Sequence, residues 1–226
     1  MDKMENIKVN DFFDQVYLVN LKRRPDKLKI STDLLNKLGI QFKLFEAIDF
    51  CDGIPEDYPV KPIPGSFLGT SKPGAFGCFM SHLEIIKDAK KNKYDKILIF
   101  EDDVAAEENF VSLFSQKIKD LPKDWKLFYL GASGHTGVPK KRITDHISKT
   151  VESFTTGSYG IHSSIYDTIL AEEKTPCKPI DLFYVRCIQN VNPCYVVTPT
   201  IMWQAAGFSD IAQADRNYTG FMKNMS

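Results

Sequence analysis

The stretch ILIFEDDV, residues 97–104, sets four large apolar residues directly before three carboxylates, Glu101, Asp102 and Asp103. A run this apolar, without polar alternation, reads as a strand covered on both faces in the interior of a parallel sheet. Adjacent carboxylates repel one another, so three of them at the end of a buried strand call for positive charge nearby. In open α/β sheets ligands bind beyond the carboxyl ends of the strands, and the triplet is delivered there. Clustered carboxylate oxygens suit a hard divalent cation such as manganese or magnesium, which often bridges protein carboxylates to a substrate's phosphates. Glu101 and Asp103, two apart, face the same way on an extended chain, while Asp102 faces elsewhere. Asp103 reads equally as the cap of a following helix, so the triplet alone leaves both readings open.

Upstream, QVYLVNL (15–21) has the pattern of another strand, and KRRPDK follows with Pro25 placed for the first turn of a helix. That helix turns Leu28, Leu34, Leu35 and Leu38 inward and stops at Gly39, and FKLFEAIDF (42–50) reads as the next strand. Strand, helix and strand in this spacing make a βαβ unit. A Pro- and Gly-rich passage from Asp52 to Gly74 is longer than an ordinary connector. From Ala75, Phe76, Phe79, Met80, Leu83, Ile86 and Ala89 recur at helical spacing.

Downstream, Phe110, Val111, Phe114 and Ile118 mark a helix, and KLFYL (126–130) a short buried strand. GASGHTG (131–137), with the basic stretch after it, is a glycine-rich loop suited to act as a lid. SFTTGSYGIHSS (153–164) mixes strand residues with small ones. Helices are expected over Tyr166–Glu173 and PIDLFYVRCIQ, the latter with Asp181 at its start, and CYVVTP holds a last strand. The tail from Ile201 has little periodicity. There is no repeat and no composition break, so the chain reads as one α/β domain: a mostly parallel sheet flanked by helices.

A length of 226 residues fits that. The 43% hydrophobic and 26% charged fractions are those of a soluble globular protein. A net charge of zero offers no field for nucleic acid, and the basic clusters Lys90–Lys93 and Lys140–Arg142 are short. Peripheral contact with a membrane surface is left open, but no stretch approaches the roughly 18 apolar residues of a transmembrane segment. The polar N-terminus lacks a signal-peptide pattern, which makes a cytoplasmic location the expectation. The five cysteines are scattered without paired spacing, so neither a zinc site nor a disulfide framework is expected from them.

Several blocks, in order, resemble glycosyltransferase family 25, which includes bacterial lipooligosaccharide galactosyltransferases and the procollagen galactosyltransferases. They are VYLVNLKRRPDK, FEAID, GAFGCFMSHLEI, KILIFEDDV, TTGSYGIHSS, KPID and FSDI, spanning roughly Val16 to Ile211. The resemblance implies a GT-A type, Rossmann-like fold, with a nucleotide-sugar half (about 14–104), an acceptor half (about 105–212) and a short tail. It implies metal-dependent transfer of a hexose, galactose favoured and glucose next, from a UDP-sugar donor. The acceptor would be a hydroxyl of a glycan, lipid-linked glycan or protein, reached with inversion.

On that resemblance Asp103 and Glu101 would hold Mn2+ or Mg2+, and Asp102 would meet the ribose. Asn20, Leu21, Arg24, Ala47 and Asp49 would line the nucleotide, and Ser81 and His82 would lie near the donor. Asp181 would be the general base, with Asp210 the second candidate for base or metal ligand. Two other readings stand beside it: another metal-dependent nucleotide enzyme, and a non-catalytic carbohydrate- or nucleotide-binding module. EDDVA lacks the threonine of an Asp-x-Asp-x-Thr phosphatase run, and no phosphate-binding P-loop motif is present.

Overall fold

The computed structural model describes residues 6–134, 141–150 and 152–223. Its centre is an eight-stranded sheet. The spatial order is β2 (Lys43–Glu46), β1 (Gln15–Asn20), β3 (Lys96–Glu101), β10 (Ser158–His162), β5 (Leu127–Tyr129), β11 (Cys194–Val197), β8 (Ile147–Lys149) and β7 (Lys141–Arg142). β10 and β8 run against the other six strands, so the sheet is mixed but mostly parallel in direction. Three small pairs stand apart from it: β4 (Val104–Ala106) with β12 (Met202–Gln204), β6 (Ser133–Gly134) with β9 (Ser153–Phe154), and β13 (Gly207–Ser209) with β14 (Ala214–Arg216).

The central strands are covered on both faces, as ILIF predicts. Tyr17, Val19, Ile97 and Ile99 join one core with Phe76, Phe79 and Leu83 of α4 (Pro73–Lys91). Their alternating neighbours Val16, Leu18, Leu98 and Phe100 join the other. There they meet Leu35 of α2 (Pro25–Lys37) and Phe110 and Phe114 of α5 (Phe110–Lys117). Each fully buried side chain of this size contributes about 1.5–3 kcal/mol relative to exposure. Shorter helices α1 (Val9–Phe12), α3 (Phe67–Thr70), α6 (Tyr166–Leu170), α7 (Ile180–Phe183) and α8 (Thr219–Lys223) complete the fold. The α/β architecture expected from the sequence, a mostly parallel sheet flanked by helices, is present, with helices on both faces of the sheet.

The local differences have physical reasons. The strand expected over 42–50 is only four residues long, because β2 is the exposed edge of the sheet. Past the Ala47 N–H, which bonds Asn20 O at 2.8 Å, the chain leaves the ladder for α4. α4 begins at Pro73, two residues before the expected start, with proline in its first turn. The long passage before it contains α3, capped by Ser66 Oγ accepting from the Gly69 N–H. PIDLFYVRCIQ is α7 continued by a π-turn over Tyr184–Gln189. The tail is structured: β12, β13, β14 and α8 all follow Ile201. Residues 135–140 of the expected lid lie outside the described residues.

Candidate active site

Two cavities open beyond the end of β3. The smaller, about 290 Å³, includes Asn20, Ala47, Asp49, His82 and the triplet in its wall. The larger, about 1390 Å³, includes Thr155, Thr156, Pro179 and Asp181. Lys72, Cys78, Glu101, Gln204, Ser209 and Ile211 face both, so Glu101 stands on their common wall.

The triplet is held by its neighbours rather than left to repel. Asn20, 4% exposed at the end of β1, donates from Nδ2 to Asp102 Oδ2 at 2.6 Å and to the Arg24 carbonyl at 3.0 Å. Ser31 of α2 donates to the Asp102 carbonyl at 2.6 Å, tying the helix to the turn. Glu101 accepts from Thr156 Oγ1 at 2.5 Å and lies 3.3 Å from His82 Nε2. Asp103 Oδ2 accepts from Gln204 Nε2 at 3.1 Å, whereas Asp103 Oδ1 is buried with no hydrogen-bond partner. Burial, and then the neighbouring Glu101 charge, pushes the Asp103 carboxyl up to about 7. Burial also raises Glu101, but His82, Thr156 and Lys27 outweigh it and leave that carboxyl below its ordinary value. Asp102 is raised, chiefly by burial.

An unsatisfied carboxylate oxygen beside a second carboxylate in a cavity wall is a fit for a hard divalent ion. The positive charge already at hand is Lys27. Its Nζ lies 3.7 Å from Asp102 Oδ1, 3.9 Å from Asp103 Oδ2 and 3.7 Å from Asp210 Oδ2.

GAFGCFMSH acquires a physical reason here. Gly77 and Ser81 sit one turn apart on α4 and grip the backbone of Ile48. A Cβ on Gly77 would lie 2.5 Å from the Ile48 carbonyl oxygen, so only glycine permits the approach. Ser81 Oγ accepts the Ile48 N–H at 2.8 Å and donates to the Gly77 carbonyl at 2.7 Å. This clamp fixes the Ala47–Asp49 wall, with Ser81 buried in the lining of the smaller cavity. His82 is 1% exposed and holds Tyr159 OH at 2.8 Å through Nδ1.

The remaining expected residues divide between the cavities. Leu21 and Asp49 line the smaller one, with Asp49 accepting from Arg23 Nε at 2.6 Å. That pairing, set against burial, holds the Asp49 carboxyl below its ordinary value. Arg24 is committed to Asp26 and Asp210. Asp210 is bound by both Arg23 and Arg24, which latches the β13–β14 strap onto the start of α2. Asp181 lies apart from these, in the larger cavity, accepting the Leu182 N–H at 2.7 Å. Burial raises its carboxyl against the opposing backbone N–H groups of Leu182 and Thr155. Thr155 beside it has φ +70, a conformation a β-branched residue rarely adopts, and its Oγ1 is buried without a partner.

The sequence reading missed Arg23, Lys27, Thr156 and Gln204. Arg23 and Lys27 flank Pro25 within KRRPDK, where only Arg24 was singled out. Gln204 lies in the aperiodic tail and reaches the site through β12 pairing with β4. Asp210, late in the chain, lines the smaller cavity beside Asn20 and Asp49 from its first fifty residues.

The chain is 31% identical over 129 residues to mouse procollagen galactosyltransferase 2, covering 53% of this chain and 21% of that protein. It is 30% identical over 190 residues to a glycosyltransferase 25 family member of Aedes aegypti, covering 79% and 31%. A third relative, human inactive glycosyltransferase 25 family member 3, is 30% identical over 129 residues, covering 53% and 22%. The match thus takes in between a fifth and a third of these relatives' lengths. The model of glycosyltransferase family 25 (LPS biosynthesis protein) matches residues 13–156. With its ordered motifs gathered around two adjoining cavities, the chain belongs to glycosyltransferase family 25.

Proposed function

We propose that this chain is a metal-dependent glycosyltransferase domain. It would move a hexose, galactose before glucose, from a UDP-sugar to a hydroxyl of a glycan, lipid-linked glycan or protein. The observation that carries the reading is Asp103 Oδ1, a buried carboxylate oxygen without a partner, set beside Glu101 in a cavity wall.

Asp103, assisted by Glu101, would hold Mn2+ or Mg2+. When bound, such an ion supplies Lewis-acid stabilisation to the charge developing on a departing diphosphate. The protein's own groups do the rest. Asn20, Leu21, Ala47 and Asp49 form the nucleoside wall, and the Gly77–Ser81 clamp keeps it rigid. Asp102, oriented by Asn20, faces the ribose. Arg23 and Lys27 add positive charge where the phosphates lie. Asp181 receives the acceptor hydroxyl's proton from the larger cavity, and burial, by raising its carboxyl, makes it a stronger proton acceptor than an exposed aspartate. One base placed away from the leaving group corresponds to a single inverting displacement. Asp210 is the weaker choice for base because two arginines already engage it.

The test is thermal stabilisation by UDP with and without manganese. The expected result is a manganese-dependent shift in the native protein and none in Asp103→Ala. Unchanged UDP affinity for Asp103→Ala in manganese would remove the metal assignment. A second reading, a non-catalytic nucleotide- or sugar-binding module, is favoured by the counter-charge that Arg23, Arg24 and Lys27 already supply to the acidic groups. Slow UDP-galactose hydrolysis, absent from that module, separates the two.

A further inference from the structure

The spacing of the cysteines gives no metal motif, yet the fold brings three ligand-type side chains together from one helix and one strand. Cys78 and His82 are four residues apart on α4 and so share a helix face. Glu101 reaches the same point from the end of β3. The Cys78 sulfur, a His82 ring nitrogen and a Glu101 carboxylate oxygen all lie within 4.8 Å of one another.

A second observation points to a ligand. His82 is almost wholly buried, and its Nε2 makes no hydrogen bond, although Glu101 Oε1 lies 3.3 Å away. On the ring's other side Nδ1 meets Tyr159 OH at 2.8 Å, and Tyr159 OH meets Tyr184 OH at 3.2 Å. With Nδ1–H donating to Tyr159, Nε2 points at Glu101, and a bound cation would take the place of the proton those two groups can share. Ligating histidines have this arrangement, with the second nitrogen fixed by an outer partner.

The donor set decides the class of ion. Thiolate, imidazole and carboxylate together select a borderline-soft ion of the zinc type over manganese or magnesium, which prefer all-oxygen surroundings. We propose that Cys78, His82 and Glu101 form a binding site for a zinc-class divalent ion, adjoining the hard-ion position at Asp103 and sharing Glu101 with it. Tetrahedral zinc with bonds of about 2.0–2.3 Å needs ligand atoms roughly 3.3–3.8 Å apart. His82 Nε2 and Glu101 Oε1, 3.3 Å apart, already have that spacing, and no pair in the set is more than about an ångström wide of it, a distance side-chain torsions cover. Three protein ligands leave a fourth position open, as in catalytic rather than structural zinc sites. It would face the cavities, since Cys78 and Glu101 line both.

The test is titration of the metal-free protein with Co2+, a spectroscopic stand-in for zinc. One equivalent should give near-ultraviolet thiolate-to-cobalt charge-transfer absorption, which added zinc abolishes. Cys78→Ser should lose the band and bind zinc at least about tenfold more weakly, a loss as large as those seen for outer-shell changes. Cys51→Ser, at an exposed cysteine, and Asp103→Asn should keep it. A readout needing no variant is alkylation of Cys78 followed by mass spectrometry, which zinc should slow. No band in the native protein, a band surviving Cys78→Ser or lost in Asp103→Asn, or alkylation indifferent to zinc would each overturn the proposal.

Discussion

Replacing Asp103 by asparagine should make the metal-free protein more stable near neutral pH. The carboxyl is pushed from 3.8 to about 7, first by burial and then by the charge of Glu101. A group whose folded pKa exceeds its unfolded one binds its proton more tightly in the folded state. The destabilisation is therefore absent below 3.8, grows as pH rises, and is complete above about 7. At about 1.4 kcal/mol per tenfold change in proton affinity, the full effect is about 4 kcal/mol. The side chain retains 22% exposure, so solvent screens part of that cost.

An expected gain for the asparagine variant is about 2–4 kcal/mol above neutrality, shrinking to nothing in acid. The assay is urea unfolding in chelator over a pH series. A variant less stable than the native protein near neutrality, or a difference flat with pH, refutes the reasoning. Manganese at a hundred times its Kd should then add about 2.7 kcal/mol to the native protein and nothing to the variant. A cost of that size, removable by one substitution, marks a side chain kept for what it binds.

Asp181→Asn should leave UDP affinity unchanged and lower transfer by about a hundredfold or more, as for a lost general base; retained turnover would move that role to another carboxylate. Ser81→Ala removes the acceptor of the Ile48 N–H and should cost about 1–3 kcal/mol in unfolding experiments, with weaker UDP binding alongside. Lost stability with unaltered binding would show that the clamp does not set the nucleotide wall. Gly131→Ala would place a Cβ 1.7 Å from the Met202 carbonyl oxygen, against backbone that cannot rotate away. It should cost about 3 kcal/mol and speed amide exchange across Met202–Gln204; a well-tolerated alanine would contradict the packing described.

What could be read from the sequence was whatever had enough residues to show a period. β1 and β3 announce themselves because both faces of each are buried, so their apolar runs are unbroken. α2 and α4 have proline at the first turn and an apolar stripe thereafter. β4, β12, β13 and β14 have three residues each, too few for alternation to register, so the tail gave no signal. The triplet was visible by charge alone, but not its unequal sharing, in which Glu101 stays low while Asp103 is raised. That difference depends on His82 and Thr156, which approach from other elements. Lys27 was hidden for the opposite reason: a basic residue in a first turn is ordinary until the fold sets three carboxylates around it.

β10 lies between β3 and β5, pairing antiparallel with each, and begins at Ser158, two residues beyond the family match. A fragment trimmed to that match would bare the flank of β3, from Lys96 to Phe100, as an open, oily ladder edge. Such an edge invites other chains to add to it. Anyone expressing this domain should therefore set the downstream cut by the strand order and not by the motif boundary, or expect inclusion bodies.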